Sequence, residues 1–280
     1  MGLKRDSPVE ILTRWLEKRS LKVKIFLGIL LAFCAIVVLK HTVKEHDFFY
    51  IAAESIHIVG LIVLIYKLFA HKNCSGKYLN FSLSGLSLKS QELTALFLIT
   101  RLGCSIYMEA NVHTVLDSIL LLSTLLVIWL IRFKLKSSYM KEFDNMWLSI
   151  LVVPSAILAI AINPNTTHIR IARILWAFTV YLETISILPQ LRYMQNAKMV
   201  ETFTGYYVFA LGVSRFFAMA YWIIFTYSTR GAYLFVFGHG YLWTLAALLT
   251  EIIQTFILAD FCYYYTKSFM QGQLLKKMPV

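Results

Sequence analysis

Long runs of apolar residues, each near the length of a bilayer crossing, occupy most of this chain and leave few folds open to it. A helix needs about 17–25 such residues to span a membrane. Hydrocarbon offers no partners for exposed backbone groups, so a run of this kind folds as a helix that satisfies its own N–H and C=O groups. The runs lie near Ile25 to Val43, Phe48 to Phe69, Leu86 to Met108, Val112 to Phe133, Trp147 to Ile162, Ile169 to Leu191, Phe203 to Phe225 and Tyr241 to Tyr265. They are greasy on all sides and lack the one-sided periodicity of a surface helix. With 59% hydrophobic and 15% charged residues, the chain also exceeds the apolar content of about 45–50% usual in soluble domains. The expected fold is an all-α integral membrane protein with about eight helices.

The first run has only about fifteen strictly apolar residues between Lys24 and Lys40, which must snorkel their ammonium groups to the interface. A secretory signal peptide is the alternative, but the charged leader is long and no small-x-small cleavage site follows, so a retained span is expected. Gly2 is present, yet Asp6 stands where a myristoylation motif needs Ser or Thr, and Ser7 comes one residue late.

The formal net charge is +12, but the basic residues fall between the apolar runs, which fits topology better than a nucleic-acid surface. Cytosolic segments hold the excess of Lys and Arg. Placing the N terminus in the cytosol puts Lys4, Arg5, Lys18, Lys72, Lys89, Lys134, Arg192 and Lys267 on that side. The opposite side keeps little beyond Lys40, Lys44, Arg170, Arg173 and Arg230, so both termini are expected in the cytosol. Asn165-Thr166-Thr167 is then the only lumenal glycosylation sequon, close to the membrane; those at Asn73 and Asn80 are cytosolic.

Cys34, Cys74, Cys104 and Cys262 show no CxxC spacing and read as packing residues. There is no phosphate loop, HExxH motif or nucleophile turn, so no enzyme, metal or cofactor is expected.

Ionisable groups inside spans are costly and mark an interior pocket or path. Glu54 and His57 share one helix face, as do Trp176 and Glu183 on another. Arg101 and Arg215 sit mid-span, and Asp117, Glu251 and Asp260 add negative charge. Each arginine follows a small hydroxyl residue, Thr100 or Ser214, at similar depth, which suggests two copies of a helical unit. A guanidinium fork suits a carboxylate ligand. It equally suits a structural pair, Arg215 with Glu183 and Arg101 with another acid. His57 is either a pH-sensitive group or a packed helix contact.

The run Tyr181-Leu-Glu183-Thr-Ile-Ser-Ile-Leu-Pro189-Gln190-Leu191 resembles the signature of the KDEL receptors, the ER lumen protein-retaining receptors. Its Pro-Gln pair also marks the wider PQ-loop and SWEET-like fold. Gly85-Leu-Ser-Leu-Lys89-Ser90-Gln91, Ile174-Leu-Trp176, Phe209-Ala-Leu-Gly212 with Arg215, Tyr221-Trp222-Ile223, Gln254-Thr255 and Asp260-Phe261 match in the same order. The resemblance implies a seven-helix core of two three-helix bundles and a linking helix over residues 48–265. The additional helix at 25–43, the leader at 1–24 and a cytosolic tail at 266–280 complete the expected organisation.

It also implies pH-dependent binding of the C-terminal tetrapeptide of lumenal client proteins, in Golgi-to-ER vesicle transport. By position, His57 matches a pH-sensing histidine, Arg101 a carboxylate-binding arginine, Trp176 and Trp222 pocket aromatics, and Glu183 with Arg215 a charged lock. Asp260 matches an acid needed for trafficking. Lys276-Lys277 resembles a retrieval signal read by a retrograde vesicle coat, or is simply a solvated pair of lysines.

The departures predict altered ligand preference. Tyr50 and Phe225 replace pocket arginines, and Arg173 replaces the glutamate that meets a basic first residue, a reversal of charge. Leu102-Gly103-Cys104 replaces the residues that follow the family's arginine, and Ser214 replaces a tyrosine. Residues Gly76 to Ser84 form an insertion in a cytosolic loop, to which no function attaches. The expectation is a receptor for lumenal proteins in ER and Golgi membranes. The alternatives are a small-solute transporter of the same fold and an adaptor that binds no ligand.

Overall fold

The computed structural model describes residues 47–73, 85–108, 112–136, 139–197, 202–228 and 242–270, all within one compact unit, Asp47–Val280. The leader, the helix expected at Ile25 to Val43, Cys34, Cys74, the Gly76 to Ser84 insertion, and Lys276 and Lys277 lie outside the described residues, as does the Phe225 side chain.

The described helices are α1 (Asp47–Asn73), α2 (Leu88–Met108), α3 (Val112–Trp129), α4 (Ser149–Ala161), α5 (Arg170–Ile185), α6 (Leu188–Ala197), α7 (Thr202–Ser228) and α8 (Leu242–Met270). A π-helical turn, Leu130–Lys134, extends α3. No strand occurs among the described residues. Five stretches are long and apolar enough to cross a membrane: Phe48–Phe69, His113–Lys134, Arg170–Ala197, Thr204–Ser228 and Leu242–Ser268. Helix α2 is long enough but carries Lys89, Glu92 and Arg101, and α4 has only 13 residues. Exposed apolar side chains such as Ile62, Tyr66, Leu122, Phe133 and Phe256 cover the outside, as hydrocarbon contact requires. The protein is an all-α, multi-pass membrane protein.

Helix α1 packs mainly on α7 and also on α3; α2 packs on α3 and α5; α8 packs on α7 and α5. Hydrocarbon gives no hydrophobic drive between helices, so close approach through small residues supplies the attraction. At Gly60 in α1, a Cβ would lie 2.8 Å from the Cβ of Ala210 in α7. At Gly212 in α7, one would collide with the sulfur of Cys262 in α8. Leu61, Leu64, Phe97, Leu98, Leu120 and Tyr207 fill the interior between these contacts.

The stretch Arg170–Ala197 is broken because Pro189 has no N–H and its ring crowds the carbonyl four residues back, at Ile185 where α5 ends. The break frees the Ser186 carbonyl, which accepts a hydrogen bond from Ser90 Oγ at 2.7 Å. Gln190, the next residue, accepts from the Ser87 N–H at 2.8 Å and donates to the Gly85 carbonyl. The Pro-Gln pair thereby joins the break to the start of α2.

Asp144 completes this junction. Its carboxylate accepts from Ser87 Oγ at 2.8 Å and from the Lys89 N–H at 3.1 Å, while Ser87 Oγ accepts from the Ser90 N–H at 3.1 Å. Both side chains thus cap the otherwise unpaired first turn of α2. Tyr139 donates to the same carboxylate at 2.5 Å. Burial and that hydrogen bond hold its phenol well above the usual tyrosine range, so it stays a donor. Asp144→Ala removes three accepted bonds at a buried position and is expected to cost about 2–3 kcal/mol. Thermal unfolding in detergent measures it, and a loss indistinguishable from zero would show that Ser87 caps α2 unaided.

Candidate functional site

The charged residues inside the spans converge. Arg101 in α2 donates through Nη2 to Asp117 in α3 at 2.6 Å and to Glu54 in α1 at 3.4 Å, and through Nη1 to Glu183 in α5 at 2.9 Å. The other Glu183 oxygen lies 2.8 Å from Nη2 of Arg215 in α7. Glu183 therefore bridges two arginines, and one connected network joins five helices. All five side chains are buried. Charges removed from water persist only when paired and hydrogen-bonded, which is what each guanidinium obtains here.

Beside the network lies a cavity of about 510 Å³. Its lining follows helical spacing: Arg101, Ser105 and Met108 from α2; His113 and Asp117 from α3; Trp176, Val180 and Glu183 from α5. Tyr50, Tyr221, Trp222, Trp243 and Glu251 come from α1, α7 and α8, and His168 from the segment before α5. Most of these residues sit at the N-terminal ends of α1, α3, α5 and α8 or the C-terminal ends of α2 and α7, so the cavity occupies one end of the bundle. The Pro-Gln junction occupies the other. Aromatic edges order the wall, with Tyr50 meeting His113 at 4.5 Å and Tyr181 meeting Trp243 at 5.9 Å between ring centres.

A second cavity of about 10 Å³ lies deeper, lined by His57, Ser90, Thr94, Ser186, Tyr207, Arg215 and Gln254. That is close to the room one water molecule needs. Neither ring nitrogen of His57 has a hydrogen-bond partner in the structure.

Of the residues singled out in the sequence, Arg101, Trp176, Trp222 and Glu183 line the larger cavity. Glu54 reaches it only through Arg101, and His57 and Arg215 line the smaller one. Arg173 is turned elsewhere: Nη1 donates to the Pro164 carbonyl at 3.3 Å and to Asn165 Oδ1 at 2.8 Å. Asp260 is exposed on α8. Sequence reasoning did not single out His113, His168 or Trp243 as site residues. His113 could have been found, because it precedes Asp117 by one helical turn and so shares its face. Among the described residues no group of His, Cys, Asp and Glu could hold a metal ion. The arrangement is equipped to bind and orient a ligand through charge and aromatic faces.

Residues 82–225 match the family model described as ER lumen protein retaining receptor. The chain is 32% identical over 233 residues to an ER lumen protein-retaining receptor of Petunia hybrida, covering 82% of this chain and 98% of that one. It is 31% identical over 236 residues to the ER lumen protein-retaining receptor erd-2.2 of Caenorhabditis elegans, covering 84% and 100%. With ER lumen protein-retaining receptor A of Arabidopsis thaliana the identity is 30% over 233 residues, covering 82% and 98%.

Proposed function

Because this chain belongs to the ER lumen protein-retaining receptor family, we propose that it retains lumenal proteins by taking their C-terminal residues into the cavity beside Arg101. The observation that carries this reading is the cavity itself. At about 510 Å³ it falls within the range of about 300–1,000 Å³ typical of small-ligand sites, and it joins aromatic walls to buried charge at one end of the bundle. The excess of Lys and Arg toward the opposite end supports a lumenal position for this one, where a client's C terminus can enter, with both termini of the chain in the cytosol. ER and Golgi membranes are then its sites of residence. Asp260, Lys276 and Lys277 are the residues through which a retrograde coat would be engaged.

Binding of C-terminal tetrapeptides to the purified chain tests the reading. Saturable binding with micromolar or tighter affinity is expected, weakened at least tenfold by Trp222→Ala. No binding to any C-terminal peptide would overturn it.

Recognition is proposed to depend on pH through His57, which shares the smaller cavity with Tyr207, Arg215 and Gln254, feels the charges of Glu183 and Arg101, and follows Glu54 by three residues on α1. The sign follows from linkage: a complex that binds more protons than the free receptor is tighter in acid. A ligand that brings negative charge near His57 favours the imidazolium and binds more tightly at pH 5 than at pH 7.5, whereas one that brings positive charge shows the opposite trend. Titrations across that range with the parent chain and His57→Asn are expected to differ in slope. Equal slopes would remove His57 from the mechanism.

A further inference from the structure

At the end of the bundle opposite the larger cavity, the last turn of α3 leaves the α-helical register. The buried face of that helix runs through Asp117, Leu120, Thr124, Val127 and Ile131, each three or four residues after the one before. Continued as an α-helix, the same face would take in Lys134 and press an ammonium group into the apolar interior. The π-helical turn Leu130–Lys134, closed by the Leu135 N–H donating to the Leu130 carbonyl at 2.9 Å, widens the turn by one residue. Leu135 then packs on the core, and Arg132, Phe133 and Lys134 are all exposed.

Both cations are held in place. Lys134 Nζ stands 4.9 Å from the ring centre of Trp129, five residues back, and 5.3 Å from that of Phe69 in α1. Among the described residues no acid pairs with Lys134. Arg132 donates through Nη2 to Glu92 in α2 at 2.6 Å, while 55% of its side chain stays exposed. A guanidinium carries five N–H donors, so Glu92 leaves most of them for another anion. The membrane-crossing stretches His113–Lys134 and Phe48–Phe69 end at Lys134 and Phe69, which puts the cations at headgroup depth. Phe133 is 72% exposed and Trp129 and Phe69 are 42% exposed, so apolar rings adjoin the charges where acyl chains begin.

We propose that Arg132 and Lys134 form a binding site for an anionic phospholipid, its phosphate taken by the two cations and its acyl chains lying against Phe133 and Trp129. The neighbouring rings favour a lipid over a soluble phosphate, and their depth in the membrane favours it over a protein partner. The site lies apart from the larger cavity, so it operates whichever ligand that cavity takes.

The full chain in nanodiscs is titrated with phosphatidylglycerol and with phosphatidylcholine, each brominated in its acyl chains. Quenching of Trp129 is read as the difference between the parent chain and Trp129→Phe. Phosphatidylglycerol is expected to quench at about tenfold lower mole fraction than phosphatidylcholine. Lys134→Gln and Arg132→Gln are each expected to reduce that preference about fivefold, and Lys134→Arg, which keeps the charge, to preserve it. Salt at about 1 M, applied to the parent chain, is expected to erase most of the preference and needs no variant.

Equal quenching by the two lipids in the parent chain overturns the proposal, and Lys134 is then a membrane anchor without lipid preference. Glycerol phosphate that displaces phosphatidylglycerol at equal concentration also overturns it, by showing a site for a soluble phosphate. A preference that survives both Lys134→Gln and Arg132→Gln overturns the assignment of the residues.

Discussion

Arg101→Met is expected to lower the free energy of unfolding by about 3–5 kcal/mol, the largest effect of any single substitution in the described membrane interior. Met approximates the length of the side chain, so the change removes charge with little change in volume. Glu54, Asp117 and Glu183, which contact the guanidinium at 3.4, 2.6 and 2.9 Å, then share a buried site in which Arg215 remains to balance them. Three carboxylates that lose a common partner face both desolvation and mutual repulsion. Reversible unfolding in mixed micelles measures the loss. The double variant Arg101→Met with Asp117→Asn is expected to recover part of it, because it removes one stranded charge together with its partner. Arg101→Lys preserves the charge but cannot reach acids on three sides with a planar fork, and an intermediate loss is expected. A loss below about 1 kcal/mol for Arg101→Met would show that the acids are solvated or protonated and that the network does not hold the bundle.

Gly60→Val is expected to follow, at about 3 kcal/mol. The Cβ built at Gly60 lies 2.8 Å from the Cβ of Ala210, an atom fixed to the α7 backbone, so no rotamer change relieves the overlap. Helices α1 and α7 must separate along the most extensive contact among the described helices. Gly212→Ala makes the contrasting case, since the atom in its way is the sulfur of Cys262, which one rotation can move. A smaller loss is expected there, rescued by Cys262→Ala, whereas Ala210→Gly is needed to rescue Gly60→Ala. Equal losses at the two glycines, or rescue of neither, would show that helix spacing is set elsewhere.

The helices were legible in the sequence because hydrophobic length is a local property. The apolar run starting at Phe48 predicts the span that the structure gives as Phe48–Phe69, and the run near Phe203 to Phe225 falls within α7. The break after Ile185 was less legible, although Pro189 was in plain view. A proline near the end of a long apolar run reads as a boundary, and the partners of the freed carbonyl lie almost a hundred residues away, at Ser90. Long-range pairing was the main obstacle. Glu183 and Arg215 were paired in advance as one structural option for two buried opposite charges, yet Arg101 could be given only an unnamed acid. Asp117 became its partner because α3 packs on α2, bringing together two residues 16 positions apart in sequence. Glu251 was visible as a charge inside a span, but its place on the cavity wall depends on how α8 is rotated against α5 and α7. Arg173 shows the same limit, since only the structure reveals that its guanidinium points to Pro164 and Asn165.

The carboxylate that Glu183 divides between Arg101 and Arg215 also restricts how this sequence can change over generations. A neutral replacement at 183 takes the ion pair from Arg215 and one of three acids from Arg101, and one at 101 strands the acids of α1 and α3, so each single step crosses a deep loss of stability. Drift through this region must therefore proceed by paired, charge-matched exchanges. Among descendants of this chain, positions 54, 101, 117 and 183 should vary together or stay fixed together.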